Sequence, residues 1–300
     1  MSVNFSGKIA GEPLRRENKF MPKGHQNNHT SRRCRQLLAP LRLCLFGILC
    51  GCGTLASGSE WGRNATLVPG WDRIARAAKN AALATGTWAP AAGALALQIG
   101  HADQHVQEWA AKHTPVFGSQ RNADQMSDSL ARASGALWVA SGLATPSGEE
   151  TEEWFSNKAR GLGIQMGAGV LLRSTVGILK DTTARTRPNG QGKSSFPSYH
   201  ASNTSLFTTM ASKNVETLDW SDNAVAITRF GLGTLTAATA WARIEANQHY
   251  PSDVLAGIAL GHFFGVFFTD AFLGVDDSDR VLVLFEPSRG GYAMIVRFGF

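Results

Sequence analysis

The chain has 300 residues, with 29 Lys/Arg against 23 Asp/Glu and 43% hydrophobic residues. Its net charge of +6 is local: residues 1–52 hold nine basic and two acidic side chains, and the other 248 residues hold 20 and 21. That balance leaves no nucleic-acid footprint outside the leader. All four cysteines (Cys34, Cys44, Cys50 and Cys52) also fall in the leader, which excludes disulfides and thiol chemistry from the rest.

Residues 1–36 are polar and basic, and the apolar run Leu41–Leu49 that follows is interrupted only by Arg42. Basic region, short apolar region and small residues are the layout of a secretory signal, too short to span a bilayer. A start at Met21 would give it a more ordinary length. Leu49-Cys50-Gly51-Cys52 resembles a bacterial lipoprotein box with Cys52 as the lipidated residue; simple cleavage near Ala56 is the alternative. The expectation is an exported, periplasmic protein with an N-terminal membrane anchor, and an outer-membrane lipoprotein if Cys52 is modified. Residues 1–52 are read as the leader and the Gly/Ser-rich 53–70 as a linker.

Helical patterning then runs from 71 to 275. Trp71 to Ala82 is amphipathic, Trp88 to Ile99 is uncharged and reads as buried, and Ala102 to His113 carries apolar residues at helical spacing. Asn122 to Leu143 forms a longer helix, with Asp124 in its first turn and Asp128 one turn on. Thr151 begins a stretch that runs to Lys180. Ser221 to Ala246 is rich in small residues and reads as central. Val254 to Leu273 is the most apolar segment, but His262 and Asp270 make it a core helix rather than a membrane span. No other segment reads as a clean span. Residues 276–300 alternate around Glu286–Gly291 and read as a β-hairpin. His101, His105 and His113 have helical spacing but no carboxylate motif beside them, so they read as surface residues and no metal site is expected.

Chemistry concentrates in three clusters between Lys180 and Asp253. The first is Lys180-x6-Arg187-Pro188, the second Pro197-Ser198-Tyr199-His200, and the third Arg243-x5-His249-x3-Asp253. Arginine offers phosphate a planar fork of donors and lysine a point charge. Pro197 and Pro251 each precede a helical stretch, and helix N-termini favour anions. His249 and Asp253 are one turn apart, so the carboxylate can fix the imidazole tautomer.

In that order and at those separations, the clusters resemble the signature of the type 2 phosphatidic acid phosphatase and vanadium haloperoxidase superfamily. That signature runs Lys-x6-Arg-Pro, Pro-Ser-Gly-His and Ser-Arg-x5-His-x3-Asp. The resemblance implies an all-α helical bundle and, in the absence of clean spans, the non-multispan bacterial branch. It implies that His249 is the nucleophile, Asp253 its orienting partner and His200 the general acid. Lys180, Arg187, Arg243 and Ser198 would hold the phosphate, and Tyr199, next to Ser198, is counted with the phosphate-binding residues. No cofactor is implied, and vanadate would act as an inhibitor.

The chain departs from the signature at Tyr199, where the family has Gly, and at Ala242, where it often has Ser. Tyr brings a ring to the mouth of the site: it narrows the pocket, adds a hydroxyll group, or lowers turnover. Three functions follow. The first is a metal-independent phosphomonoesterase of the cell envelope, acting on a lipid phosphate or a small soluble phosphate through a phosphohistidine. The second is a non-catalytic protein that binds phosphate or lipid headgroups. The third is a vanadate-dependent haloperoxidase with vanadate as cofactor, for which the chain is short. Oligomeric state is not readable.

Overall fold

The computed structural model describes residues 54–55, 60–274, 282–288 and 291–297. The signal layout and Cys52 lie outside them. The described chain is all-α, as expected. In order it forms α1 (Trp71–Leu83), α2 (Thr85–Ala96), a short 3-10 turn, α3 (Ala102–His113), α4 (Gln120–Ala144) and α5 (Thr151–Thr183). Then come α6 (Tyr199–Val215), α7 (Asp222–Glu245) and α8 (Pro251–Phe268), which continues into a π turn, Thr269–Leu273. Leu282–Ser288 pairs antiparallel with Gly291–Arg297.

Local sequence sets the helix ends that matter for the site. Ser119 opens α4 by accepting from Asn122 N at 3.1 Å, and Ser198 caps α6; a side-chain acceptor satisfies one of the free N–H groups at a helix start. At α8, Pro251 stands at the first position and Asp253 Oδ2 accepts from Tyr250 N at 2.9 Å. α5 stops at Ala184, whose left-handed backbone (φ 44) turns the chain sharply after Lys180. α4 ends where buried Lys158 of α5 donates to the carbonyls of Gly142 and Thr145, placing a cation on a helix C-terminus.

The centre of the molecule is the α6–α8 pair. Leu206 and Met210 of α6 are fully buried with Leu172 and Val176 of α5 and Leu273; each such side chain contributes about 1.5–3 kcal/mol on burial. The close approach of α6 and α8 depends on Gly257, Gly261 and Gly265, four residues apart on one face of α8. A Cβ at Gly261 would lie 2.1 Å from Ser202 O, and one at Gly257 2.7 Å from Ser198 O. The two helices thus meet backbone to backbone, and the start of α6 is held against the start of α8.

Four expectations are corrected. α7 is not central: its first half is exposed, Phe230 included, and burial begins near Leu232, because only its last turns reach the α6–α8 pair. α2 buries only Ala94 and exposes Trp88 and Leu95, since it rests one face on α8. The stretch read as a linker contributes Trp61, 1% exposed, which fills the space left by the missing side chain of Gly161. Finally, among the described residues two helices are long and apolar enough, by length and composition, to cross a membrane: Thr151–Thr183, with 28% of its apolar window buried, and Pro251–Leu273, with 56%. The first qualifies because its charges lie mostly at the ends, with Arg173 the one charged residue between Arg160 and Lys180.

Candidate active site

The predicted groups meet where α5 ends, α6 and α8 begin and α7 ends. His249 is 2% exposed. Its Nδ1 lies 2.7 Å from the carbonyl of Ser195. A carbonyl can only accept, so Nδ1 carries the proton and the Nε2 lone pair is left for chemistry. This differs from the expected direct carboxylate contact: Asp253 Oδ2 is 3.9 Å from Nδ1, too far for a hydrogen bond. The carboxylate works through Ser195 instead. Asp253 Oδ2 accepts from Ser195 Oγ at 2.5 Å, and Oδ1 accepts from Arg185 Nη1 at 2.7 Å.

Arg185 was not singled out in the sequence. Its Nη2 reaches Asp103 Oδ2 at 2.7 Å, and its guanidinium lies 4.2 Å from the Tyr250 ring centroid. Asp103, buried on α3, also accepts from Ser252 N and Ser252 Oγ at 2.7 and 2.6 Å. A chain of ion pairs, Asp103–Arg185–Asp253, therefore ties the loop after α5 to the start of α8. The two-residue spacing of Arg185 and Arg187 was visible, but the partner that explains Arg185 lies 82 residues away.

His200 opens α6 and its Nε2 is 2.8 Å from Asp128 Oδ1. One turn earlier on α4, Asp124 Oδ1 accepts from Arg243 Nη1 at 2.6 Å, and Ser127 Oγ accepts from the same nitrogen at 2.9 Å. Two acidic residues one turn apart thus hold one cation and one histidine of the site. Arg187 donates to Gln248 Oε1 and Lys180 to the carbonyl of Ser194. The Nε atoms of Arg187 and of Arg243 are buried without a hydrogen-bond partner among the described residues.

The remaining two predicted residues are placed differently. Ser198 is fully buried, with its hydroxyl on the α6 cap facing Ala201 N at 3.5 Å. The Tyr199 ring does not block the mouth; it packs against the core cluster, with Arg173 of α5 over its face at 5.6 Å. His101, His105 and His113 are exposed. His262 bonds Thr87 Oγ1 at 2.9 Å and lines a separate cavity of about 580 Å³ that includes none of the groups above.

Burial pushes the His249 imidazole down to about 4, against the pull of Asp253. Burial and then Arg243 lower His200, while Asp128 and Asp124 oppose the shift. Burial and the neighbouring Arg187 bring Lys180 to about 8. For Asp253 burial acts upward, yet the donors around it, Ser195 and Arg185 among them, hold it below the ordinary value. A neutral buried imidazole beside three cations can bond covalently to the phosphorus of a phosphate ester whose oxygens those cations neutralise.

Residues 161–274 match the family model described as the PAP2 superfamily. The match covers 114 of the chain's 300 residues. All six charged and imidazole groups named from the sequence lie within the matched segment; Asp124 and Asp128, which hold Arg243 and His200, lie before it, as does Asp103, the partner of Arg185. Among solved structures, the chain is similar to the first transmembrane PAP2 type phosphatidylglycerolphosphate phosphatase from Bacillus subtilis, at 17% identity over 65% of this chain and 90% of that chain, with a TM-score of 0.35. No curated protein matches.

Proposed function

We propose that the protein is a PAP2-type phosphatase that hydrolyses phosphate monoesters of the cell envelope through a phosphohistidine at His249. The observation that carries this reading is the pair of buried, unpartnered Nε donors on Arg187 and Arg243. Each unsatisfied buried donor costs about 1–3 kcal/mol, and more when charged. An oxyanion between the two guanidinium groups satisfies both.

In the first step Nε2 of His249 attacks phosphorus and the bond to the ester oxygen breaks in line. Lys180, Arg187 and Arg243 carry the charge of the equatorial oxygens. His200 transfers its proton to the departing oxygen. In the second step neutral His200 takes a proton from water, the water oxygen attacks phosphorus, and the bond to Nε2 breaks. Asp253 supports the imidazolium that forms, acting through Ser195 and by its charge. No step calls on a metal ion.

The envelope reading rests on the basic, apolar and cysteine-bearing leader and on the surface of α5. Phe155, Met166, Val170 and Ile178 are all exposed there, an apolar face suited to a lipid surface. This supports membrane association and keeps both a lipid phosphate and a small soluble phosphate as substrate classes.

The test is phosphate release from an aryl phosphate and from phosphatidate micelles, with chelator present. Release should survive the chelator, be blocked by vanadate, and fall by three orders of magnitude or more (roughly, for loss of a nucleophile) in His249→Ala. Near-wild-type turnover in that variant sinks the mechanism. Halide oxidation with vanadate and peroxide would move the protein to the haloperoxidase reading.

A further inference from the structure

We propose that the groove between α4 and α6 beside His200 is the leaving-group subsite, and that it selects a compact alcohol bearing an anionic group. The inference rests on the phosphatase reading above and adds a substrate class to it.

The groove is written as two stripes. On α4, Asp128, Ala131, Arg132 and Gly135 recur at three, four and seven residues; on α6, His200, Asn203 and Phe207 recur at three and seven. These spacings put each set on one helix face, and the faces line an open groove of about 350 Å³. Seven residues of helix span ~10 Å, which sets its length. One end is His200, the group placed to protonate the departing oxygen. Protonation by His200 requires the departing oxygen to lie beside it, at this end of the groove.

The far end is aromatic. Phe207 stacks on Trp138 with centroids 5.0 Å apart and planes at 9°, and Trp138 is anchored through Nε1 to Gln165 Oε1 at 2.6 Å. Gly135 leaves the space over that ring open: a Cβ there would touch Phe207 at 3.5 Å, an ordinary contact. A larger side chain would grow into the groove. The volume, about 350 Å³, is at the low end of small-molecule sites.

The rim carries the charge. Asp128, one turn before Arg132, is engaged by His200. Arg132 donates to the neutral Ser129 Oγ at 3.1 Å, and no carboxylate among the described residues lies within ion-pair distance of it. An exposed guanidinium at the rim of a small groove favours a leaving group with a carboxylate or a second phosphate. Asn203 supplies an amide for a hydroxyl alongside.

The experiment compares phenyl phosphate with 4-carboxyphenyl phosphate on the full chain, as kcat/KM, in wild type, Arg132→Gln, Gly135→Ala and Gly135→Leu. Comparing one substrate pair across variants cancels the intrinsic difference between the two phenols. Wild type should favour the carboxylated ester. Arg132→Gln should reduce that preference about two- to fivefold, the range for an exposed charge pair. Gly135→Leu should raise KM for both esters more than Gly135→Ala does, with melting curves showing that both variants fold. Wild-type turnover with the same ester preference in Arg132→Gln, or an unchanged KM in a folded Gly135→Leu, overturns the subsite. Hydrolysis of phosphatidate micelles with no release from either aryl ester overturns the subsite alone; a folded wild type that releases phosphate from none of the three overturns the phosphatase reading itself.

Discussion

His249 has to be neutral to attack and His200 has to be charged to donate, and burial acts on both in the same direction. It brings His249 to about 4, so the nucleophile is ready at mildly acidic pH. It also lowers His200, and Asp128 is the group in direct contact that opposes the loss of its proton. The rate should therefore rise with pH through about 4 and fall as His200 deprotonates below its ordinary value of 6.5. Lys180, at about 8, stays charged across that window. Asp128→Asn removes an influence that raises His200, so the descending limb of kcat/KM should move to lower pH. A limb that stays in place would show that His200 is not the titrating acid. The same burial affects stability. The unfolded chain binds a proton at His249 near 6.5 and the folded chain only near 4, so stability is lost as pH falls through that interval.

At the level of elements, the decisive contact is the glycine face of α8 on α6. It sets the distance between the helix that begins with His200 and the one that begins beside His249 and Asp253. Gly261→Ala would force Cβ to within 2.1 Å of the Ser202 carbonyl; backbone must move, at a cost of roughly 1–3 kcal/mol. Gly231→Ala on the open surface of α7 meets nothing and should be neutral or stabilising by up to about 1 kcal/mol. Thermal melts and phosphate release on the two variants make the comparison. Gly261→Ala should lose several degrees and most of its activity; equal melting temperatures would remove the glycine face from the account. Ion pairing adds a second tie, because Arg185 bridges Asp103 of α3 and Asp253 of α8.

For the molecule as a whole, the site is assembled from the end of α5, the loop to α6, the start of α6, the end of α7 and the start of α8. An anion that bridges Arg187 and Arg243 links these parts and should stabilise all of them together. Inorganic phosphate at a hundred times its dissociation constant should add about 2.7 kcal/mol, a rise in melting temperature of about 5–10 °C for a domain of this size. Arg187→Gln should lose most of that rise. A wild-type melt that does not respond to phosphate would detach the two arginines from anion binding.

Much of this was legible in the chain. Three short clusters in order pointed to the family and to Lys180, Arg187, His200, Arg243, His249 and Asp253, because phosphate chemistry demands those residue types and they sit at helix ends marked by Pro197 and Pro251. Composition and turn signals, with helical periodicity at α1 and α3, located the long helices described above. The four-residue glycine spacing on α8 was equally available, though only the facing backbone of α6 gives it meaning. What the tertiary structure decided is which groups touch across long separations. Asp103, Asp124 and Asp128 look like ordinary helical carboxylates until folding sets them against Arg185, Arg243 and His200. The link from Asp253 to His249 runs through Ser195, a direction that the one-turn spacing did not reveal. Tyr199 turned into the core because the start of α6 faces α5, and a residue's direction at a helix start depends on the helices that surround it.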